Sequence, residues 1–221
     1  MKYAVLNSLL GFALLDLATV AGGFGGVLTA WFGVCFIIAG IAYARRKVRV
    51  YGKQPDGRLS WWSWLLFLPL HLYTLGVWHV YRLVSREPAA CRVNDRLWIG
   101  RRLLSHELPQ EVQLVIDLTA EFREPPGIVS ARHYRSFPIL DASIPDSASL
   151  REFLLSVPPE APVYVHCAQG HGRTGLFAVA LLYSRGDCAS FAEALELLTT
   201  VRPLLSLNSE QKTFVTRLLA G

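Results

Sequence analysis

The chain has 221 residues, 52% of them hydrophobic and 18% charged, which excludes a disordered or purely polar protein. Its net charge of +5 is unevenly spread: residues 1–90 carry 9 of the 22 Lys and Arg against 3 of the 17 Asp and Glu, a net of +6, and the remainder has a net of −1. The positive charge lies between hydrophobic runs rather than across a folded surface, which argues against a nucleic-acid partner.

From Tyr3 to Ala44 the only charge is Asp16, and those 42 residues suffice for two helices of about 20 residues, the length that crosses a bilayer core. The cluster Gly22, Gly23, Gly25 and Gly26 divides them into helices near 3–20 and 25–44, with Gly11, Ala18, Gly33 and Gly40 allowing close packing. The apolar stretch is too long for a signal peptide and is expected to stay attached. Asp16, an ionisable residue in a membrane helix, is a functional candidate, or else it lies near a helix end or pairs in the bundle with His71 or an arginine.

Arg45, Arg46, Lys47, Arg49, Lys53 and Arg58 oppose only Asp56, so the positive-inside rule assigns this loop to the cytoplasm. A third uncharged run, Leu59 to Tyr81, has Trp61, Trp62 and Trp64 at one end and Trp78 and Tyr81 at the other. It predicts a helix near 60–82 with an aromatic belt at each interface. Pro69 interrupts it, and His71, Thr74 and Trp78 share one face, so spanning the bilayer and lying along it both remain open. Residues 1–90 are thus read as a membrane region and 91–221 as one compact α/β domain. The implied location is an integral, multi-pass protein of a bacterial cytoplasmic membrane, with the side of residues 91–221 left open and the cytoplasm favoured.

In the second half, Leu97–Gly100, Val112–Leu118, His133–Ile139 and Pro162–His166 read as strands. Helices are expected at Ser147–Val157, Thr174–Ser184, Ser190–Thr200 and Asn208–Ala220, the last opening on a capping sequence, Asn208-Ser209-Glu210-Gln211. Alternation of the two predicts a mostly parallel sheet flanked by helices. Cys35, Cys91 and Cys188 have neither metal-ligand spacing nor a paired pattern, and no disulfide framework is implied.

The chemistry lies in His166-Cys167-Ala168-Gln169-Gly170-His171-Gly172-Arg173-Thr174-Gly175. A strand ends, a glycine-bearing loop turns and a helix begins, so that successive N–H groups and the helix N-terminus make a cradle for a dianion. A thiol in such a field ionises more readily, and the thiolate is the nucleophile. Six residues on, Arg173 offers a planar fork of donors that grips two phosphate oxygens. That combination describes phosphoryl transfer to sulfur.

At these residues the chain resembles the cysteine-based protein tyrosine phosphatases, specifically their dual-specificity branch, whose signature is His-Cys, five residues, then Arg and Ser or Thr. The resemblance extends over about 95–220 through VIDLTAEF (Val115 to Phe122), FPILDASIPD (Phe137 to Asp146) and RPLLSLNSEQ (Arg202 to Gln211). It implies that Cys167 attacks phosphorus, that Ala168, Gln169, Gly170, His171 and Gly172 hold the phosphate with Arg173, and that Thr174 gives its hydroxyl to the sulfur. The general acid is expected to be Asp141, 26 residues before Cys167, in preference to Asp146, which reads as a helix cap. His166 is expected to orient the loop from behind, and Arg202 to brace it. His171 either lines the pocket mouth or faces solvent; Gln211 either positions the hydrolytic water or lies on a helix surface. The mechanism requires no cofactor or metal. The expected partners are the bilayer and a phosphorylated lipid or phosphoprotein substrate, and the competing reading is an inactive phosphate-binding module.

Overall fold

The computed structural model describes residues 2–220 and divides into two units. Of these residues, the first comprises 2–54, 59–83 and 120–122; the second comprises 55–58, 84–119 and 123–220.

The first unit holds three long helices, α1 (Lys2–Ala21), α2 (Gly23–Ala44) and α3 (Trp61–Val84). α1 and α2 are both long and apolar enough to cross a membrane. Gly22 and Gly23 form the hinge with φ of 60° and 50°, a left-handed conformation that costs glycine little. The hairpin closes through small residues: a Cβ on Gly11 would lie 2.8 Å from the Gly33 carbonyl oxygen, and one on Gly33 would lie 2.9 Å from that of Gly11. Large side chains, among them Leu6, Leu9, Phe12, Phe24 and Val27, point outward instead.

α3 forms as one 24-residue helix despite Pro69, which cannot donate to the preceding turn. The Leu66 carbonyl accepts from Trp31 Nε1 at 2.8 Å and Cys35 Sγ at 2.9 Å, tying α3 to α2. Phe67, Leu70, His71 and Trp78 are buried, while Leu65, Leu72, Tyr73, Val77 and Val80 are exposed, so α3 carries large apolar residues on both its buried and its exposed sides. The expected pairing of Asp16 with His71 is not formed: His71 Nε2 lies 3.3 Å from Ser63 Oγ, and Asp16 is exposed. Among the described residues, the helices long and apolar enough to span are α1 and α2, and α3 is not one of them.

The second unit is built on a five-stranded sheet in the order β1-β2-β5-β3-β4. Its strands are β1 (Ala90–Arg92), β2 (Leu97–Arg101), β3 (Leu114–Thr119), β4 (His133–Ile139) and β5 (Val163–Cys167). β1 runs antiparallel to β2 and every other pairing is parallel, so the sheet is mixed but mostly parallel, in agreement with the sequence reading. The helices are α4 (Pro126–Ala131), α5 (Ser147–Leu155), α6 (Gly172–Ser184), α7 (Phe191–Val201) and α8 (Ser209–Ala220).

β3 and β5, two of the three inner strands, are buried along their whole length, as runs such as VQLVIDL and PVYVH require of a sheet covered on both faces. Leu114, Ile116, Leu118, Val163 and Val165 point into the main core with the apolar side of α6, α7 and α8. Val115 and Tyr164 alternate onto the opposite face, against Leu103, Val112 and Ile128 of a smaller core. α6, buried from Arg173 to Leu182, is therefore a central helix whose N-terminus meets the end of the central strand β5.

Candidate active site

Cys167 is the last residue of β5, in register with Arg101 of β2, and is buried. The chain then turns through 168–171 and enters α6 at Gly172. The Gly170 N–H points at Cys167 Sγ from 3.3 Å. Gly170 has a φ of +79°, and a Cβ there would collide with the Gly100 carbonyl and lie 2.7 Å from the Arg101 nitrogen. Only glycine fits, and its absence of a side chain lets the loop lie against β2 with its N–H turned toward the sulfur. The unsatisfied N–H groups of the first turn of α6 add their positive potential at the same place.

Arg173, in that first turn, is 2% exposed. Its Nη1 donates to the Ile139 carbonyl at 3.1 Å, and its Nη2 lies 3.2 Å from Asp141 Oδ1. The end of β4 thus delivers Asp141 to the arginine of the loop, although the two residues are 32 positions apart. The Asp141 side chain is 66% exposed, so solvent reaches the carboxylate beside the arginine. Asp146 lies apart from this group: it is the N-cap of α5, accepting from the Ser149 N–H at 2.9 Å and the Ser149 hydroxyl at 2.8 Å.

Behind the cysteine, His166 is wholly buried, with its ring stacked on Tyr164. Its Nε2 lies 3.7 Å from Glu124 Oε1, and Glu124 Oε2 lies 3.5 Å from Arg102 Nε. The Arg102 N–H in turn donates to the Ala168 carbonyl at 3.2 Å. Asp117 accepts from the Thr119 N–H and hydroxyl, both at 2.7 Å, and from the Tyr134 hydroxyl at 2.7 Å. Burial first, then the Asp117 charge and hydrogen bond, push the Tyr134 phenol far above its ordinary range, so it stays the donor. Ligand-type atoms of Asp117, Glu124 and His166 all lie within 4.8 Å of one another, a spacing that could hold a metal ion. The Thr119 and Tyr134 donors satisfy Asp117, while Glu124 faces Arg102 and His166 at ion-pair distance, so the three side chains form a buried polar cluster behind the loop.

Arg202, 1% exposed, holds the back of the loop: Nη2 donates to the Gln169 carbonyl at 2.8 Å and Nε to the Gly170 carbonyl at 2.9 Å. Gln169 is exposed, whereas the His171 ring turns to Glu87, with Nε2 2.7 Å from Oε2. His171 is therefore not a solvent-facing side chain. Gln211 also departs from the surface reading. It is 1% exposed, with Oε1 accepting from the Asn208 N–H at 3.1 Å and Nε2 donating to the Ser143 carbonyl at 3.2 Å. With Asn208 Oδ1 accepting from the Gln211 N–H at 2.9 Å, this is a capping box that also steadies the loop carrying Asp141. The buried Thr174 hydroxyl makes no hydrogen bond among the described residues, so the bond expected from it to the sulfur is absent here.

Sequence reasoning missed Glu87, whose partner His171 is 84 positions away, and the Asp117–Tyr134 pair. Asp117 carried a signal, a carboxylate inside the apolar run VIDL, which has to be satisfied if buried. Glu87 carried none.

Comparison with known proteins follows the same loop. Residues 102–215, just over half of the chain, match the family described as "PTP-SAK: Swiss Army Knife protein, DSP-PTPase phosphatase domain". A 53-residue stretch is 40% identical to the receptor-type tyrosine-protein phosphatase eta of Mus musculus, covering 20% of this chain and only 4% of that protein's length. Among solved structures, Tk-PTP in its active form aligns with a TM-score of 0.52 at 28% identity, covering 60% of this chain and 97% of that one. PTPMT1 in complex with PI(5)P aligns with a TM-score of 0.52 at 18% identity, over 60% and 95%, a likeness of fold. The cysteine cradle and the match across it agree, and the chain belongs to the DSP-PTPase phosphatase domains of the PTP-SAK family and hence to the phosphoric monoester hydrolases.

Proposed function

We propose that the protein is a membrane-anchored phosphatase that hydrolyses a singly phosphorylated lipid headgroup through a cysteinyl-phosphate on Cys167. The observation that carries the catalytic part is the convergence of Cys167 Sγ, the Gly170 N–H at 3.3 Å and the Arg173–Asp141 pair at 3.2 Å on the N-terminus of α6. A phosphate dianion binds the loop N–H groups and the Arg173 fork. The thiolate attacks phosphorus, the P–O bond to the leaving group breaks, and Asp141 gives its proton to the departing oxygen. In the second half the Asp141 carboxylate takes a proton from water as that water attacks phosphorus and the S–P bond breaks, regenerating the thiolate and releasing phosphate. His166, Arg202 and Gln211 hold the loops that carry these groups, and Thr174 is buried in the first turn of α6.

Support for a lipid comes from two sides. The large apolar side chains of α1 and α2 are exposed along helices long enough to cross a bilayer, which would hold the site where lipid headgroups are concentrated. A solved structure with the same fold, PTPMT1, was obtained with PI(5)P. The preference for one phosphate rests on the loop: besides Arg173, its one basic side chain between Cys167 and Arg173 is His171, and that ring is engaged by Glu87 rather than offered to a second phosphate.

A phosphoprotein substrate is the second reading, favoured by the 40% identity to a receptor-type tyrosine-protein phosphatase. The test is phosphate release by micelle-solubilised protein from a phosphatidylglycerophosphate-type lipid and from a phosphotyrosyl peptide, each beside Cys167→Ser. Lipid turnover well above peptide turnover, lost in Cys167→Ser, is the expected result. The reverse preference would move the substrate to protein, and no turnover of either would leave a phosphate-binding module.

A further inference from the structure

The phosphate loop is held by a residue outside the matched family domain. Glu87 follows the end of α3 by three residues and precedes the matched region by 15. Its side chain is 11% exposed, and a carboxylate so deeply placed requires partners. Oε2 lies 2.7 Å from His171 Nε2 and 3.3 Å from Arg202 Nη2. Both groups belong to the loop's support: His171 is the last loop residue before α6, and Arg202 grips the carbonyls of Gln169 and Gly170.

A second, independent contact fixes the same segment. The Pro88 carbonyl accepts from Arg202 Nη1 at 2.9 Å, so Arg202 is held by the side chain of residue 87 and the main chain of residue 88 together. Proline at 88 also confines the Glu87 backbone to extended conformations, which reduces the freedom lost in aiming the carboxylate. Three consecutive residues, 169, 170 and 171, are thereby drawn to the back of the loop, two by their carbonyls and one by its ring. Pulling a carbonyl backward turns the peptide plane and presents the following N–H forward, which is the side where Gly170 N–H meets the Cys167 sulfur.

We propose that Glu87 is a positioning residue of the phosphate loop: by bridging His171 and Arg202 it keeps the loop N–H groups aimed at the phosphate. This rests on the reading of Cys167 and its loop as the phosphatase site. The consequence is kinetic and specific. Loop N–H groups contact the phosphate in the bound substrate as well as during transfer, so a slackened loop weakens binding of any phosphate and raises KM, with a smaller effect on kcat. A residue needed only for folding would lower the amount of active protein and leave KM unchanged.

The test uses the full chain in detergent micelles with p-nitrophenyl phosphate as substrate and inorganic phosphate as competing ligand. Glu87→Gln, which keeps the shape and removes the charge, is expected to raise KM and the phosphate inhibition constant by about tenfold, the size of losing a charge-assisted hydrogen bond, with kcat within about threefold. In a His171→Gln background the same change is expected to cost about threefold or less, because one arm of the bridge is already gone. Wild-type KM and inhibition constant in Glu87→Gln, or full additivity with His171→Gln, would overturn the proposal. Should Glu87→Gln not fold, Glu87→Asp retains the charge on a side chain one methylene too short to reach both partners. It is expected to give an intermediate inhibition constant, and a wild-type value there would equally overturn the proposal. Cys167→Ser separates the two levels: turnover persisting in it defeats the reading of the site, whereas its loss beside an unaffected Glu87→Gln defeats only the role of Glu87.

Discussion

α2 and α6 are both strongly apolar helices, and they bury opposite things. α2 buries Gly26, Gly33, Cys35, Ala39, Gly40 and Ala42 and exposes Phe24, Val27, Val34 and Ile41. α6 buries every residue from Arg173 to Leu182, including Leu176, Phe177 and Leu181. A helix apolar on all sides has to be surrounded by something apolar. For α6 that surrounding is the sheet and its neighbouring helices; for α2 it is α1 and the Leu66 turn of α3, and Phe24, Val27, Val34 and Ile41 are left exposed. Composition alone makes the two alike, and what separates them is the size of the buried residue. Small residues inside and large ones outside is the pattern of helices whose association does not depend on expelling water.

The catalytic end of α6 gives the largest expected break in that comparison, since its single buried charge, Arg173, faces Asp141. Asp141→Ala is expected to lower kcat by about 10²–10⁴, the usual contribution of a general acid, with little change in Tm because the side chain is exposed. An unchanged kcat would remove Asp141 from the reaction. Next in size is the packing term. Leu181→Ala should destabilise the catalytic unit by about 2–5 kcal/mol, read from thermal loss of activity. Phe24→Ala, at a residue 78% exposed on α2, should leave that transition where it is and weaken partition into phospholipid vesicles instead. Equal effects of the two on thermal inactivation would erase the distinction between the helices.

The inside of the hairpin makes a third test. A side chain on Gly33 would meet the Gly11 carbonyl and the Leu15 side chain at 2.9 Å, so Gly33→Leu has to push α1 away from α2. Overpacking of this kind costs about 1–3 kcal/mol. Loss of helical signal on heating in micelles should come earlier in Gly33→Leu, while turnover of p-nitrophenyl phosphate at ambient temperature stays at the wild-type level.

What the sequence revealed follows the range of the interactions. Runs such as VQLVIDL and PVYVH announce inner strands because both faces must be apolar, and His166 to Gly175 announces its cradle because strand, turn and helix are contiguous. Gly11, Ala18, Gly33 and Gly40 were readable for the same reason, a local spacing with one geometric use. β1 escaped because three residues, Ala90–Arg92, carry no pattern and exist as a strand only through pairing with β2. Gln211 was legible as a cap but not as a buried brace, since its second partner is the Ser143 carbonyl 68 positions away. His171 was open between pocket and solvent because the deciding neighbour, Glu87, belongs to another part of the chain.

The smallest effect separates the two aspartates of FPILDASIPD. Asp146 caps α5 through the Ser149 N–H and hydroxyl, and those two bonds, in that order, hold its carboxyl below the ordinary range. A carboxylate whose folded value is depressed stabilises the protein above its unfolded value and loses that contribution as the pH falls through the folded one. Asp146→Ala should therefore lower Tm by a few degrees at neutral pH, and the difference from wild type should shrink as the pH drops below the ordinary carboxylate value of about 4. kcat should be unaffected at neutral pH, where Asp141→Ala loses most of its activity. A kcat loss in Asp146→Ala matching that of Asp141→Ala would mean that the α5 cap, not the residue beside Arg173, supplies the proton, and the geometry built around the 3.2 Å pair would have to be reassigned.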